Sequence, residues 1–323
     1  MSPTGLAVLG ATLAAASGSG LPADSLRRFE FAEPHLGTTF RVAFFAPDSA
    51  SAAAGAVAAF DVIRDLDRRF SDYDPESEVS RLAEVAGRDG GRAVSGELAD
   101  ILAIARGWSE RTDGAFDVTV GPLTRLWRWS ARRGELPDSD RLARARAAVG
   151  WRRLEVDPAT RVVRLTRRGM AIDLGGIAKG YAADAALAEL ARLGLRSALV
   201  EAGGDMALGD PPPGRRGWRV AVEAVGRTVV LANAGVATSG DRFRYFEAGG
   251  VRYSHIVDPR TGLGVTRPRT VTGIARDATT ADAVASALTV LDDAAGRTLV
   301  GSVPGARTLE IDGPDTPRME PER

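Results

Sequence analysis

Residues 173–184, "DLGGIAKGYAAD", join the end of a strand to the start of a helix through the paired glycines Gly175 and Gly176. The reading of this turn decides between a nucleotide-binding βαβ array and another architecture. Paired glycines let backbone N–H and C=O groups approach a ligand closely, and the helix that follows offers its positive end to an anion. The glycine-to-lysine spacing is not that of a Walker A loop, and no Ser or Thr follows Lys179. Nor is the pattern GxGxxG. What remains is a generic turn, suited either to an anion or to tight packing, and no strand-borne dinucleotide fingerprint for a nicotinamide enzyme.

Working outward, "AKGYAADAALAELARLGL" reads as a helix and "SALVEAGGDMALG" as a buried strand entering a glycine turn. Upstream, "RFEFAEPHLGTTFRVAFFA" alternates as two strands around a Pro/Gly turn. "SAAAGAVAAFDVIRDLDRRF" has helical spacing and ends near a loop, "SDYDPESEVSRLAEV". "SGELADILAIARGWSERTDG" is a second amphipathic helix, stopped at Gly114, and "RRLEVDPATRVVRLTRRGMAIDL" is a strand pair joined by an Asp-Pro turn. "DPPPGRRG" is a surface turn between strands. "DATTADAVASALTVL" is a late amphipathic helix with Thr279 or Thr280 as its cap. Helices and hairpins interleave, which predicts one α+β domain of mixed helices and largely antiparallel sheet over residues 24–311. The tail 312–323 is polar and proline-bearing, with the composition of a disordered segment.

The composition closes several routes. Acidic and basic residues balance at 42 each, so nothing points to a nucleic-acid surface or a basic membrane patch. No cysteine is present, which removes disulfides, thiolate metal sites, cysteine nucleophiles and a lipoprotein anchor. His35 and His255 are the only histidines, so a histidine-rich zinc site is excluded and a histidine base must be one of these two. Lys179 is the single lysine among many arginines. Residues 1–23 carry no charge and an apolar run too short to span a bilayer; they read either as an export signal lacking its positive n-region, implying a periplasmic or other extracytoplasmic protein, or as a disordered leader, which leaves a cytoplasmic protein open.

On the late helix, Asp282 and Ser286 share one face, a carboxylate and a hydroxyl one turn apart. Either the acid decorates the helix dipole and the serine packs, or two hard oxygens point together at magnesium. "SHIVDPRTG" sets His255 beside Asp258 and Arg260 in a strand entering a turn, and His255 is the best general-base candidate. "TDGAFDVTVGPL" places Phe116 and Asp117 at a glycine-bordered turn, as ring partner and polar contact for a nucleotide or as anchor and capping acid. Asp205 and Asp241 follow glycines in two further turns that could equally bind nothing.

Read in order, "HLGTTF", "FSDYDPESEVSRL", "GAFDVTVGPL", "DLGGIAKGYAAD", "EAGGDMALG", "ATSGDRFRY", "SHIVDPRTG" and "TTADAVASAL" resemble, in sequence and spacing, the ApbE family of FAD:protein FMN transferases, from about Phe29 to Leu309. The resemblance implies a transferase that uses FAD as substrate with Mg2+ as cofactor. It would pass FMN through its phosphate to a Thr or Ser hydroxyl of an acceptor protein and release AMP. The acceptor would be a subunit of a redox system bearing an Asp-Gly-x-Thr/Ser-Gly-Ala-Thr/Ser motif. It also implies a metal site of the Gly176 carbonyl, Asp282 and Ser286. The implied FAD site takes in Leu36, Tyr73, Ala115, Phe116, Asp117, Asp173, Gly175, Lys179, Tyr181, and Ile256 or Val257. His255 would take the proton of the incoming hydroxyl, with Asp258 orienting its ring.

Four positions depart from the family's common residues. Leu36 stands where methionine is usual, an apolar swap of similar volume. Ser286 replaces threonine, keeping the oxygen but not the methyl that fixes its rotamer. Ala83 replaces an asparagine at a position bordering the flavin site, which bears on the balance between transfer and hydrolysis. Lys179 lies where the family accepts other residues. Two other activities use the same inventory: an FAD pyrophosphatase, with water in place of the protein hydroxyl, and a carrier that holds FAD uncleaved.

Overall fold

The computed structural model describes residues 26–222, 226–241 and 245–312, together with a two-residue strand at Ala7–Val8. The expected tail beyond residue 312 and the leader apart from that strand lie outside the described residues. The frame is an eight-stranded sheet whose spatial order follows chain order: Ala7–Val8, Arg27–His35, Thr38–Ala46, Ala198–Ala202, Asp205–Leu208, Ala234–Gly240, Arg269–Ala275 and Arg307–Asp312. Every neighbouring pair is antiparallel. The rest of the chain is carried as excursions between consecutive strands, which confirms the mixed α+β class and excludes a βαβ array.

The sheet is covered on both faces, and the two-residue period decides which side chain goes where. Phe40, Val42, Phe44, Val200 and Val271 join one core with the helices Ser49–Phe70, Ala178–Arg192 and Ala278–Val290. Their off-phase neighbours Phe45, Leu199, Val236 and Ile274 pack instead on Trp218, Val220 and Val222 of the hairpin Trp218–Val222/Arg227–Leu231. A three-stranded sheet of Arg92–Ala93, Val162–Leu165 and Leu154–Asp157 and the hairpin Tyr245–Ala248/Val251–Ser254 complete the β structure of the described residues.

Several local readings are revised. The segment around Ser77, read as loop, contains a helix Glu78–Glu84, because the Ser77 side chain accepts from Ser80 N at 3.0 Å and caps it. "SALVEAGGDMALG" is a hairpin, since Gly203 and Gly204, at φ 60° and 100°, turn the chain back so that Ala202 pairs with Asp205. In the first hairpin the turn is Leu36-Gly37 and Pro34 stays within its strand. Two helices, Gly121–Arg133 and Ser139–Ala147, occupy a stretch to which no periodicity was assigned above.

The late helix also differs from expectation. Asp277 caps it, accepting from Thr280 N at 2.7 Å, in place of either threonine. Ten of its thirteen residues are buried, so it is a core helix and not an amphipathic surface one. Its close approach to its neighbours needs residues without side chains. A Cβ on Gly180 would collide with the Ala278 carbonyl, and one on Gly235 with the Asp277–Ala278 backbone.

Candidate functional site

The late helix and the helix Ala178–Arg192 cross where Gly180 meets Ala278, and this crossing brings the chemistry together. Asp184 fixes it from the other side, its carboxylate accepting from Ala278 N at 2.9 Å, Thr279 N at 2.8 Å and Thr279 Oγ1 at 2.6 Å. Asp282, only 1 % exposed, therefore faces the first turn of the neighbouring helix, and Gly180 N donates to its Oδ2 at 3.3 Å.

The Lys179 ammonium is bound to buried Asp205 and lies 3.5 Å from Asp282 Oδ2. Asp205 also accepts from Thr238 N at 3.1 Å through its other oxygen. Burial pulls the Lys179 pKa down, but the two carboxylates push it up and prevail. Burial pushes the Asp282 carboxyl up to about 7, against the attraction of Lys179 and with the repulsion of Asp205. Two buried carboxylates thus share one ammonium, and with Asp282 ionised the cluster is one positive charge short of neutrality.

Ser286 lies one turn beyond Asp282, with its Oγ 3.1 Å from Ser239 Oγ. A Cβ on Gly176 would sit 2.9 Å from Ser286 Oγ and 3.3 Å from the Phe116 ring, so the glycine turn is pressed against this part of the helix. Gly176, distant in sequence, is thereby brought against Ser286, one turn from Asp282 on the same helix. Among the described residues no group of three or more His, Cys, Asp or Glu side chains is placed to hold a metal ion. A carbonyl, one carboxylate and one hydroxyl are nevertheless hard oxygens of the kind magnesium takes while keeping water and phosphate ligands, and the missing positive charge has the sign such an ion supplies. The residues present fit the group.

A second cluster surrounds Asp173. Its Oδ1 accepts from Gly175 N at 2.8 Å, and its Oδ2 from Thr124 Oγ1 at 2.7 Å and Arg128 Nη2 at 2.8 Å. The other arm of Arg128 donates to Asp72 Oδ2 at 2.5 Å, and its guanidinium carbon lies 4.4 Å from the centre of the Tyr73 ring. Burial, and then the nearby Asp173 charge, raise the Asp72 pKa. Leu36, at φ 48°, and Gly37, at φ 72°, form the two-residue turn of the first hairpin, which requires positive φ at both positions. Tyr181 packs edge-on to Phe70 at 5.7 Å, and burial pushes its hydroxyl up to about 12.

Other candidate positions have their own surroundings within the fold. Asp117 is 7 % exposed and already accepts from Thr119 N, Thr119 Oγ1 and Trp151 N, so its carboxylate holds the loop that presents Ala115 and Phe116. His255 is exposed at the end of the strand Val251–Ser254. Asp258 accepts from Arg260, at 3.0 Å each from Nε and Nη2, and from Arg260 N at 2.9 Å. Ile256 accepts from Val265 N through its carbonyl, and Val257 is buried with Leu123 and Trp127. Ala83 lines a cavity of about 540 Å³ with Glu84, Gly87, Arg88 and Arg168, which includes none of the residues around Asp282.

Arg128 was not among the sequence candidates, and Asp205 was noted only as an acid in a glycine turn that could equally bind nothing; the structure gives it the lone lysine as partner. Arg128 gave only the i, i+4 spacing from Thr124, lost among many arginines.

The ApbE family matches residues 36–309 of this chain. A Treponema pallidum protein named FAD:protein FMN transferase is 31 % identical over 308 residues, covering 88 % of this chain and 85 % of its own. A Vibrio cholerae protein of the same name is 30 % identical over 81 % of each chain, and a Haemophilus influenzae one is 32 % identical over 62 % of each. Among solved structures, the ApbE protein of Thermotoga maritima is similar with a TM-score of 0.77 at 33 % identity, over 88 % of this chain and 94 % of that one. The apo flavinyl transferase ApbE of Pseudomonas stutzeri has a TM-score of 0.78 at 30 % identity, over 90 % and 95 %.

Proposed function

The chain belongs to the ApbE family and is a transferase, and from that premise we propose that it is a magnesium-dependent FAD:protein FMN transferase. It moves FMN from FAD to a Thr or Ser hydroxyl of an acceptor protein, forming a phosphoester and releasing AMP. The observation that carries this reading is the contact of Gly176 with Ser286 on the helix that also holds Asp282, beside a buried charge cluster one positive charge short.

In this reading the Gly176 carbonyl, Asp282 and Ser286 hold the ion. When bound, magnesium would withdraw charge from the pyrophosphate and so favour departure of AMP. Lys179 keeps Asp205 neutralised, which leaves the Asp282 charge for the ion. Leu36, Tyr73, Ala115, Phe116, Asp117, Asp173, Gly175, Tyr181, Ile256 and Val257 build the FAD site, Asp117 by fixing its loop and Asp173 by fixing the glycine turn. The acceptor oxygen forms a bond to the flavin-side phosphorus as the bond from that phosphorus to the bridging oxygen breaks, and His255 takes the hydroxyl proton. Asp258 and Arg260 shape the turn that carries His255.

The acceptor is a redox-system protein carrying the Asp-Gly-x-Thr/Ser-Gly-Ala-Thr/Ser motif. Export of the chain, with residues 1–23 as its signal and 24–311 as the working domain, accords with such a partner; removal of the signal would take away the two-residue edge strand Ala7–Val8 and leave the other seven strands of the sheet. Among the described residues no helix is long and apolar enough to cross a membrane.

The test is intact-mass spectrometry of a motif-bearing acceptor domain incubated with the protein, FAD and magnesium, with AMP measured in the same tubes. An FMN adduct on Thr or Ser with matching AMP supports the proposal. AMP without adduct over several acceptors replaces it with the pyrophosphatase, and bound FAD with neither product replaces it with the carrier.

A further inference from the structure

Tyr73 sits on a loop with 74 % of its surface exposed, a position in which a side chain ordinarily samples several rotamers. One face of its ring lies on Arg128, 4.4 Å from the guanidinium carbon. That guanidinium is itself held at both ends, by Asp72 at 2.5 Å and Asp173 at 2.8 Å, and each of these carboxylate side chains is only 9 % exposed. Of the other arginines that lie over aromatic rings among the described residues, Arg111, Arg133 and Arg141 have no carboxylate partner there, Arg152 over Trp151 pairs with the exposed Asp113, and Arg252 over Tyr245 is held by one carboxylate, Asp241. The arrangement around Tyr73 is therefore more than an arginine resting on a ring.

We propose that Arg128 is a positioning residue that sets the Tyr73 ring as a stacking plate for the flavin. This rests on the reading of Tyr73 as part of the FAD site. A planar fork pinned by two carboxylates cannot rotate, so the ring lying on it is held before the ligand arrives, and its open face receives an aromatic system at a reduced ordering cost. The same fork ties the Tyr73 loop to Asp173, whose other oxygen holds Gly175 N in the turn that carries Gly176. Flavin placement and the pyrophosphate end of the site are thereby coupled through one side chain. Lysine keeps the charge but offers neither the bidentate geometry nor the flat surface.

The experiment is equilibrium titration of the purified full-length protein with FAD, followed by flavin fluorescence, for wild type, Arg128→Lys, Tyr73→Leu and the double variant. Unfolding midpoints are measured alongside. Arg128→Lys is expected to weaken FAD binding by about five- to tenfold in the wild-type background and by less than about twofold in the Tyr73→Leu background. KM for FAD should rise by more than kcat falls. An equal loss in both backgrounds would reduce Arg128 to a structural brace, and tighter binding in Arg128→Lys would mean that the guanidinium occupies the flavin's place. Either result overturns the proposal, as does unchanged affinity in Tyr73→Leu. Wild-type protein that binds no FAD would instead defeat the transferase reading on which the proposal stands.

Discussion

Gly176 and Ser286, 110 positions apart in the chain, touch so closely that a Cβ added to the glycine would lie 2.9 Å from the serine oxygen. The contact follows from a chain of small-residue approaches that begins at Gly180 against Ala278 and lets the late helix settle on the glycine turn. If that account is right, the crossing cannot tolerate a methyl group. Gly180→Ala should lower the unfolding free energy by about 3 kcal/mol, because the collision is with backbone and cannot be relieved by a rotamer change. Urea denaturation of the variant beside Gly107→Ala, where a Cβ meets nothing within 4 Å, checks it.

Lys179 neutralises Asp205. Lys179→Met should cost about 3 kcal/mol by leaving a buried carboxylate without its cation. Adding Asp205→Asn to that variant should restore part of the loss, since the orphaned charge is then gone. Thermal unfolding of the three proteins distinguishes this from a simple packing defect, which the second substitution would not repair.

His255→Ala should leave FAD affinity unchanged and lower FMN transfer by about 10²- to 10⁴-fold. The residue is exposed. Single-turnover kinetics with saturating FAD measures the step; undiminished transfer would remove His255 as the base.

His35 is the other histidine and serves the fold. Its ring nitrogens lie 3.4 Å from Asp67 Oδ2 and 3.1 Å from Glu33 Oε2. The Asp67 hydrogen bond raises its pKa above the ordinary 6.5, against burial and with the help of Glu33. The folded state therefore holds the proton more tightly than the unfolded one, so this contribution is complete below pH 6.5 and is lost as pH rises through the raised value. The stability difference between wild type and His35→Gln should accordingly be largest at pH 5.5 and shrink by pH 8.5.

The sequence made much of this frame legible and left particular parts dark. Alternation located both strands of the first hairpin, and helical spacing located the helix Ala178–Arg192 and the shared face of Asp282 and Ser286. Those signals are local. The pairing of Thr38–Ala46 with Ala198–Ala202 spans a long excursion, and no local pattern encodes it. The burial of the late helix was hidden because its alanines and threonines read as a weakly polar face, yet small residues are what let it pack on all sides. Gly176 entered the site only through family resemblance. Arg128 escaped notice because an arginine that clamps two carboxylates looks, in sequence, like the surface arginines around it.

The central claim is that Asp282 carries the metal on which FMN transfer depends. The most direct measurement is the magnesium dependence of FMN-adduct formation on a motif-bearing acceptor, by intact mass, for wild type and Asp282→Ala at equal FAD occupancy. A saturable dependence is expected in wild type, abolished by chelation, with at least a hundredfold loss (about 2.7 kcal/mol) in Asp282→Ala. Adduct formation that survives chelation, or that proceeds at the wild-type rate in Asp282→Ala, would contradict it.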